Sequence, residues 1–288
     1  MKRLFFAIAL VAVSCLSMSA YATDSQSYSS SKPEAPERQG WINYIPLYGD
    51  VESVTMTEYK FEYKFGEIVR GDVKYCRKYY FNETGDVIEY AGYNSDGFLS
   101  YLHICKYNSV GKMFEKADYN SDGSLDLKYI YKYDTYGNMI EEAHYDPDGS
   151  LGYKYIYKYD PSGNMIEKAG YNSDGLLKDK YTYKYDSSGN MIDCRSRRSK
   201  LIYKYDSAGN IIEGAFYDSD GSLDSKWVYK YDSSGNQIEW ADYNPDGSLQ
   251  HKYIYKYDSA GNMIEETCYK SEALIPVFQI VFEITYRN

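Results

Sequence analysis

Few residues of this 288-residue chain have the types and spacing of a catalytic site. The three histidines, His103, His144 and His251, fall at three different positions of the repeated sequence described below, so no histidine pair recurs. No HExxH, GxSxG or P-loop motif is present. Asp134, Asp160 and their equivalents stand at turn starts, where Asp typically bonds nearby backbone amides. The sequence therefore predicts no catalytic residue and no enzyme, although a glycosidase pair of carboxylates stays open.

Metal and disulfide chemistry find equally little support. The turn sequences NSDG, DPDG, DSDG and NPDG place oxygen atoms at alternate positions before a glycine, as half of a calcium loop does. The acidic twelfth residue of an EF-hand loop is absent. Cys76, Cys105, Cys194 and Cys268 fall at four different repeat positions, which predicts isolated half-buried thiols, with one incidental disulfide as the alternative. We predict no metal site and no cofactor, with weak calcium binding at the turns as the alternative.

A row of aromatic residues at equivalent repeat positions is the best candidate for ligand binding. An exposed row could stack against sugar rings or against the apolar side chains of another protein. In the alternative interpretation the same rings pack on one another as the core. The predicted ligand-binding residues are Tyr129, Tyr155, Tyr181, Trp227 and Tyr253.

An internal repeat must position these rings. The sequence YKYD begins at residues 131, 157, 183, 203, 229 and 255, with spacings of 26, 26, 20, 26 and 26, and degraded copies begin at 79 and 105. In each unit a segment such as KYIYKYD alternates with period two, which places Tyr155 and Tyr157 on one face and Ile156 and Lys158 on the other. Such alternation of aromatic and β-branched residues predicts a strand. The segment MIEKAGY predicts a second strand in the unit.

Two kinds of tight turn join these strands. Six Gly-Asn pairs and six Asp-Gly pairs mark them along the array. Because both loops are short, successive strands must pair antiparallel. The sequence predicts an all-β fold, an antiparallel meander of tandem 26-residue β-hairpin repeats. We expect about sixteen to eighteen strands between residues 51 and 286, forming one long twisted or curled sheet held together by tyrosine ladders.

One repeat is shorter than the others. Between Asp186 and Asp206 the Asp-Gly turn is missing, and the sequence SRRSK stands in its place. We interpret this segment as a solvated loop edge, with a docking site for an acidic partner as the alternative. Its basic residues are Arg195, Arg197, Arg198 and Lys200.

The chain divides into five predicted segments. Residues 1–22 resemble a secretory signal peptide that ends in an AxA-like cleavage site, and residues 23–38 are rich in Ser, Pro and charge, which predicts a flexible linker. Residues 39–72 form an N-terminal cap, 73–269 the hairpin-repeat array, and 270–288 a C-terminal capping strand. Caps are expected because a repeat array must protect its edges.

The signal sequence places the protein outside the cytoplasm. Cys15 ends a loose lipobox, so a lipid anchor at Cys15 is the alternative to cleavage after Ala22. The apolar run is too short for a transmembrane span, and we predict none. The predicted location is extracytoplasmic, and it is either secreted, periplasmic or on the outer surface.

The repeat YxYDxxGNxIExxxYxxDGxL resembles the RHS or YD repeat of bacterial cell-surface and toxin-associated proteins over residues 73–269. That resemblance implies β-hairpin shells, stalks or adhesion surfaces without chemistry of their own. The unit here is longer than the usual YD unit, and no toxin segment follows the array. A weaker resemblance is to choline- or glucan-binding wall repeats, which depend on Trp, whereas this chain has three Trp and 38 Tyr.

Charge narrows the choice of partners further. The formal net charge of −10 would repel phosphate backbones, which excludes nucleic acid as a favoured partner. We predict an exported, tyrosine-rich, non-enzymatic repeat protein that acts as a binding or scaffold module at the cell envelope, through a protein or glycan partner. The alternative is a carbohydrate-binding module that uses the aromatic row.

Overall fold

The computed structural model describes residues 39–42, 45–271 and 273–287, and this part of the chain consists of strands and tight turns. The predicted signal peptide, the linker and Cys15 lie outside the described residues. No helix that could cross a membrane occurs in the described ranges. The strands are β1 Gln39–Ile42, β2 Ile45–Tyr48, β3 Val51–Lys64, β4 Glu67–Phe81, β5 Val87–Asn94, β6 Leu99–Tyr107, β7 Met113–Asn120, β8 Leu125–Tyr133, β9 Met139–Tyr145, β10 Leu151–Tyr159, β11 Met165–Asn172, β12 Leu177–Tyr185, β13 Met191–Arg195, β14 Ser199–Tyr205, β15 Ile211–Asp218, β16 Leu223–Tyr231, β17 Gln237–Tyr243, β18 Leu249–Tyr257, β19 Met263–Lys270 and β20 Ile275–Tyr286.

Strands β3 to β20 form a closed antiparallel barrel in which each strand pairs with its neighbours in sequence. The meander of hairpins agrees with the prediction, but the expected open, twisted or curled sheet is wrong. The sheet closes because β20 pairs with β3 in a register that runs from Phe278 opposite Lys60 to Tyr286 opposite Val51. Closure satisfies the backbone groups of both terminal strands, which an open sheet would leave as exposed edges.

Each repeat has a tyrosine-bearing inner face and a polar outer face. Tyr157 of β10 lies opposite Lys168 of β11, and both side chains are buried. The next residue, Lys158, points to the outer face, where its ammonium group lies 2.9 Å from the Glu167 carboxylate. These outer pairs are exposed on the lysine side, so each contributes little to stability. The barrel is therefore held together mainly by its inner face.

A β-bulge follows the Gly-Asn turns and bends the sheet. In the β10–β11 pair, Lys158 lies opposite Glu167, but Tyr159 lies opposite Met165. Ile166 is the extra residue and is exposed, while Met165 is buried on the inner face. Bulges of this kind increase the local twist and bend of a strand pair. Their repetition around the sheet supplies the curvature that lets the two ends meet.

The last tyrosine of most repeat strands of this kind donates a hydrogen bond to a backbone carbonyl of the preceding strand. The Tyr159 hydroxyl of β10 donates a hydrogen bond of 2.7 Å to the carbonyl oxygen of Met139 in β9. The backbone of Tyr159 lies opposite Met165 of β11, on the other side. The bond recurs along the array, with 14 instead of 20 residues between donor and acceptor in the shortened repeat. The other donor and acceptor pairs are Tyr107 and Val87, Tyr133 and Met113, Tyr185 and Met165, Tyr205 and Met191, Tyr231 and Ile211, and Tyr257 and Gln237.

The N-terminal hairpin of β1 and β2 docks on one repeat turn. Leu47 of β2 is buried in a hydrophobic cluster with residues of β3, β4, β19 and β20. The Tyr48 amide donates to the side-chain oxygen of Asn262 at 2.6 Å, and the Asn262 side-chain nitrogen donates to the Tyr48 carbonyl at 3.1 Å. The boundaries of the predicted caps and array stay predictions.

Candidate functional site

The structure places the five predicted ligand-binding residues on the inner face of the barrel. Trp227 is only 6% exposed, and the other four side chains are half-buried. Intervening strands separate each residue from the next, so other side chains lie between them. Their role in ligand binding stays a prediction, and any ligand would have to reach them from inside the barrel. The half-buried members are Tyr129, Tyr155, Tyr181 and Tyr253.

Cations and rings of the barrel already contact this aromatic row. The Lys168 ammonium lies 3.9 Å from the centre of the Tyr155 ring, and the Lys116 ammonium lies 4.2 Å from that of Tyr129. The Tyr253 ring lies 4.8 Å from the Trp240 ring. Cation–π and aromatic pairs of this kind stabilise a packed interior. The geometry of the row is therefore that of a core.

Each histidine on the inner face contacts a carboxylate, an arrangement that the sequence analysis missed. His103 pairs with Asp118 on the neighbouring strand, and the Asp118 carboxylate also lies 3.2 Å from the Lys116 ammonium. Burial alone would raise the pKa of Asp118, but the hydrogen bond from His103 and the charge of Lys116 outweigh it, so this pKa lies below its usual range. The other two pairs are His144 with Glu142, at 2.9 Å, and His251 with Asp242, at 3.4 Å.

The Glu142 carboxylate is the centre of the most elaborate of these contacts. It accepts hydrogen bonds from His144 at 2.9 Å and from the Tyr157 hydroxyl at 2.6 Å. Burial raises the pKa of Glu142, but these two hydrogen bonds more than offset it and leave the pKa lowered. Buried charges need such partners to offset their desolvation. The pairs thus act as a neutralised polar network within the tyrosine interior.

Glu266 differs from Asp118 and Glu142, because its pKa is raised and theirs are lowered. Burial, and to a lesser extent the negative charge of Glu58, raise the pKa of Glu266 to about 7. Glu266 and Glu58 both lie opposite Ile280 of β20, on its two sides. The Glu58 carboxylate is itself buried and accepts a hydrogen bond of 2.6 Å from the Lys74 ammonium group. A buried carboxyl group without such a cation has a raised pKa and remains protonated over part of the neutral pH range.

The turn aspartates are occupied by their own turns, as expected from their positions. One carboxylate oxygen of Asp160 accepts the backbone amides of Ser162 and Asn164, both at 2.9 Å, and the other accepts the Asn164 side-chain amide at 3.0 Å. Burial acts to raise the pKa of Asp160, but these hydrogen bonds together outweigh it and lower the pKa. Its oxygens thus brace the left-handed Gly163, which has φ of 85°.

The shortened repeat creates a groove on the outer surface. β13 and β14 end in a tight turn in which the Ser196 amide donates to the Ser199 carbonyl at 2.9 Å, with Arg197 and Arg198 at the tip. The β13–β14 hairpin is shorter than the neighbouring β15–β16 hairpin. The groove between the tip of the first and the turn of the second has a volume of about 410 Å³. The groove is lined mainly by Arg195, Arg197, Lys200, Tyr217, Asp218 and Ser219.

Hairpin β3–β4 projects beyond the barrel at the end that also carries the β13–β14 turn. β3 and β4 have 14 and 15 residues, whereas the repeat strands have five to nine. Residues 61–64 pair with 67–70, while the pairing of β3 with β20 ends at Lys60 and that of β4 with β5 begins at Tyr75. The outer part of the hairpin is therefore a free two-stranded extension, called the β3–β4 extension below.

The tip of the β3–β4 extension presents aromatic side chains to solvent. Phe65 is 104% exposed and has a left-handed backbone with φ of 54°, followed by Gly66. Tyr63, 75% exposed, lies opposite the exposed Ile68. Two-residue hairpin turns of this handedness favour Asn or Gly, and a bulky residue there is strained. No motif marks this tip in the sequence, but its unusual turn residue is a signal that was overlooked.

Comparison with known proteins gives no family. No family model matches the chain, and no curated protein matches its sequence. Among solved structures, a porin-like protein from Bacteroides uniformis ATCC 8492 matches with a TM-score of 0.44 and 11% identity, over 82% of this chain and 98% of that one. The TcdB2-TccC3 complex without its hypervariable C-terminal region matches with a TM-score of 0.29 and 11% identity, over 81% and 16% of the two chains. A DUF1329 family protein from Desulfovibrio piger ATCC 29098 matches with a TM-score of 0.27 and 7% identity, over 82% and 86%.

Proposed function

We propose that this protein is a non-enzymatic binding module of the cell envelope that engages another protein through the β3–β4 extension. The closed barrel serves as the rigid scaffold of the extension. The observation that carries the proposal is Phe65, a fully exposed aromatic residue held in a left-handed backbone conformation at the tip. Such strain costs on the order of 1–3 kcal/mol and is typically found at functional sites.

The surroundings of Phe65 favour a protein partner. Tyr63 and Ile68 extend the apolar surface behind the tip. Exposed aromatic residues that enter a pocket of the partner supply much of the binding energy at protein interfaces. Isolated two-stranded hairpins are marginal in water, so a partner would also stabilise the β3–β4 extension.

A lipid surface fits the tip less well than a protein does. Glu67 is exposed directly after the turn, and Glu62 lies one residue before Tyr63, where it forms an ion pair with Lys64 at 2.6 Å. Inserting Phe65 into a bilayer would draw these carboxylates toward the headgroups, which is unfavourable. A pocket in a protein can accept the ring and leave the carboxylates at its polar rim.

The alternative function, carbohydrate binding by the aromatic row, has less geometric support. The row lies on the inner face, with Trp227 buried. Export, an envelope location, the resemblance to RHS or YD repeats and the lack of enzymatic activity are parts of the proposal, supported by the sequence features described above.

Site-specific crosslinking tests the proposal. A photoreactive amino acid replaces Phe65 in one variant and Tyr136 in the other, a 90% exposed tyrosine in a turn at the opposite end of the barrel. We expect one envelope protein to crosslink from position 65 and not from 136, and to be displaced by unlabelled wild-type chain but not by Phe65→Asn. Equal crosslinking from both positions, or equal displacement by both competitors, would contradict the proposal. Catalytic turnover abolished by a single carboxylate substitution would contradict its non-enzymatic part.

A further inference from the structure

The groove beside the β13–β14 hairpin concentrates positive charge on an acidic protein. Three basic residues, Arg195, Arg197 and Lys200, line it, and Arg198 follows Arg197 at the hairpin tip, whereas the formal charge of the whole chain is −10. Among the described residues, no carboxylate lies within 4 Å of the side-chain nitrogens of Arg197 and Arg198, which stand at the hairpin tip. Both are exposed. Two guanidinium groups thus remain available for an anion.

The remaining charges of the groove orient that anion toward the hairpin tip. Arg195 is held by Asp193, with three nitrogen–oxygen contacts of 2.9, 3.1 and 2.8 Å, and Lys200 lies 3.8 Å from the same carboxylate. Asp218 lines the opposite wall, on the β15–β16 turn. The positive end of the groove therefore lies at Arg197 and Arg198, and the opposite wall accepts hydrogen bonds.

The other lining groups fit a sugar. Tyr217 is half-buried and offers part of its ring to the groove, opposite Lys200 in the β14–β15 pair. Aromatic faces of this kind pack against the apolar faces of sugar rings. The Asp218 carboxylate and the Ser219 hydroxyl provide partners for sugar hydroxyl groups. The volume of about 410 Å³ lies within the usual range for small-molecule sites.

We infer that this groove binds an acidic sugar, a monosaccharide or short oligosaccharide whose carboxylate pairs with Arg197 and Arg198 while its ring packs on Tyr217. Arginine is well suited to this role because its planar fork can bind a carboxylate with two hydrogen bonds. An extended polyanion fits less well, because Asp218 and Asp220 of the next turn would repel it. The groove lies at least six strands around the barrel from the β3–β4 extension, so the inference is independent of the proposed protein interface.

Calorimetric titration with defined sugars tests the inference. D-glucuronic and D-galacturonic acid are the probes, and D-glucose and D-galactose are their neutral counterparts. We expect saturable binding of at least one uronic acid, weakened by added salt, and at least about tenfold weaker binding of the neutral sugars, since they lack the charge-assisted hydrogen bonds. Equal binding of acidic and neutral sugars, or no binding of either, would overturn the inference.

Two variants locate the site. Arg197→Gln combined with Arg198→Gln, at the exposed tip, should weaken uronic acid binding about tenfold or more. Tyr217→Leu should weaken the acidic and neutral sugars alike. The matched controls are Lys132→Gln, an exposed outer lysine, and Tyr145→Leu, the equivalent of Tyr217 in a regular repeat, and both should bind as the wild type does.

Two further probes exclude other anions. Inorganic phosphate should bind more weakly than the uronic acid, because it has no ring to contact Tyr217. Phosphate bound as tightly as the uronic acid would overturn the assignment to a sugar. A poly-glutamate peptide that binds where uronic acids do not would overturn it in favour of an acidic protein partner.

Discussion

Trp227 lies over Gly214, and the two residues occupy opposite positions in the β15–β16 pair. A methyl group in place of the Gly214 hydrogen would overlap the indole ring. Trp227 is buried in this position, so the largest ring of the aromatic row depends on the absence of a side chain on the facing strand. Tyr101 covers the opposite Gly92 in the same way, whereas Tyr153 reaches Gly170 from a diagonal position, since Gly170 lies opposite Tyr155. Covering strand glycines with aromatic rings is a known way of fixing register.

Gly214→Ala should therefore destabilise the barrel. We expect a loss of about 1–3 kcal/mol of unfolding free energy, because the methyl group would force the buried indole to move. Urea unfolding followed by Trp fluorescence measures it. Gly152→Ala is the control. A methyl group at Gly152 would lie 3.4 Å from the Asp146 carboxylate, which is an ordinary contact, so the unfolding free energy of this variant should change little. Equal effects of the two substitutions would contradict the predicted role of the Trp227–Gly214 contact.

Tyr159→Phe should remove a hydrogen bond without removing the ring. The hydroxyl of Tyr159 donates to the Met139 carbonyl at 2.7 Å, and this acceptor would be left without that donor. We expect a loss of about 0.5–1.5 kcal/mol of unfolding free energy. Tyr136→Phe is the control, since Tyr136 is exposed and should tolerate the change. Chemical denaturation of both variants measures the two losses. An unchanged midpoint for Tyr159→Phe would refute the stabilising role of the tyrosine hydroxyl.

Phe65→Asn should stabilise the isolated protein. Asn adopts the left-handed backbone more readily than Phe, so the strain at the tip is relieved, with an expected gain of about 1 kcal/mol at most. The measurement is the thermal unfolding midpoint. Phe98→Asn serves as the control, because Phe98 is 70% exposed but does not have a left-handed backbone. If Phe65→Asn lost stability, the ring would be stabilising the fold, and the proposed strain at the tip would be wrong.

Glu266 should make the stability of the barrel depend on pH. Its pKa is about 7 in the folded protein, against an ordinary value of 4.5, so between these values the folded state holds a proton that the unfolded state has released. Stability should fall as pH rises through this window and level off above it, with a slope of up to about 1.4 kcal/mol per pH unit.

Glu266→Gln should abolish this decline, because glutamine stays neutral at every pH in the window. Glu83→Gln, an exposed turn residue, should keep the wild-type slope. Unfolding free energies at pH 5, 6, 7 and 8 provide the comparison. A Glu266→Gln variant that retains the wild-type decline would show that another group causes it.

The hairpins could be predicted from the sequence because every signal for them is local. Strand alternation and the two glycine turns lie within each repeat, and these gave the antiparallel meander. Closure could not be predicted in this way, because it depends on pairing between β3 and β20, more than 200 residues apart. The bulges were also missed, since Met165 and Lys168 both face inward although they lie three residues apart.

The candidate sites were predictable to a smaller extent. Equivalent repeat positions correctly placed the aromatic row on one face, but alternation does not tell the inside of a barrel from its outside. The histidine–carboxylate pairs were missed because His103, His144 and His251 occupy different repeat positions while sharing the same face. The groove appeared in the sequence only as a basic segment, because its opposite wall comes from the next hairpin.

The distance between β3 and β20 tests the closed barrel most directly. Spin labels at Thr55 and Glu283, which lie opposite each other, are introduced into a Cys76→Ser background because Cys76 is the least buried of the four thiols in the described part of the chain. Pulsed electron paramagnetic resonance should give one narrow distance below about 20 Å, since opposite residues in antiparallel strands lie about 5 Å apart at their Cα atoms. An open sheet of this many strands spans roughly 80 Å at a strand spacing of about 4.8 Å. A distance of about 40 Å or more, or a broad distribution without a short component, would contradict closure.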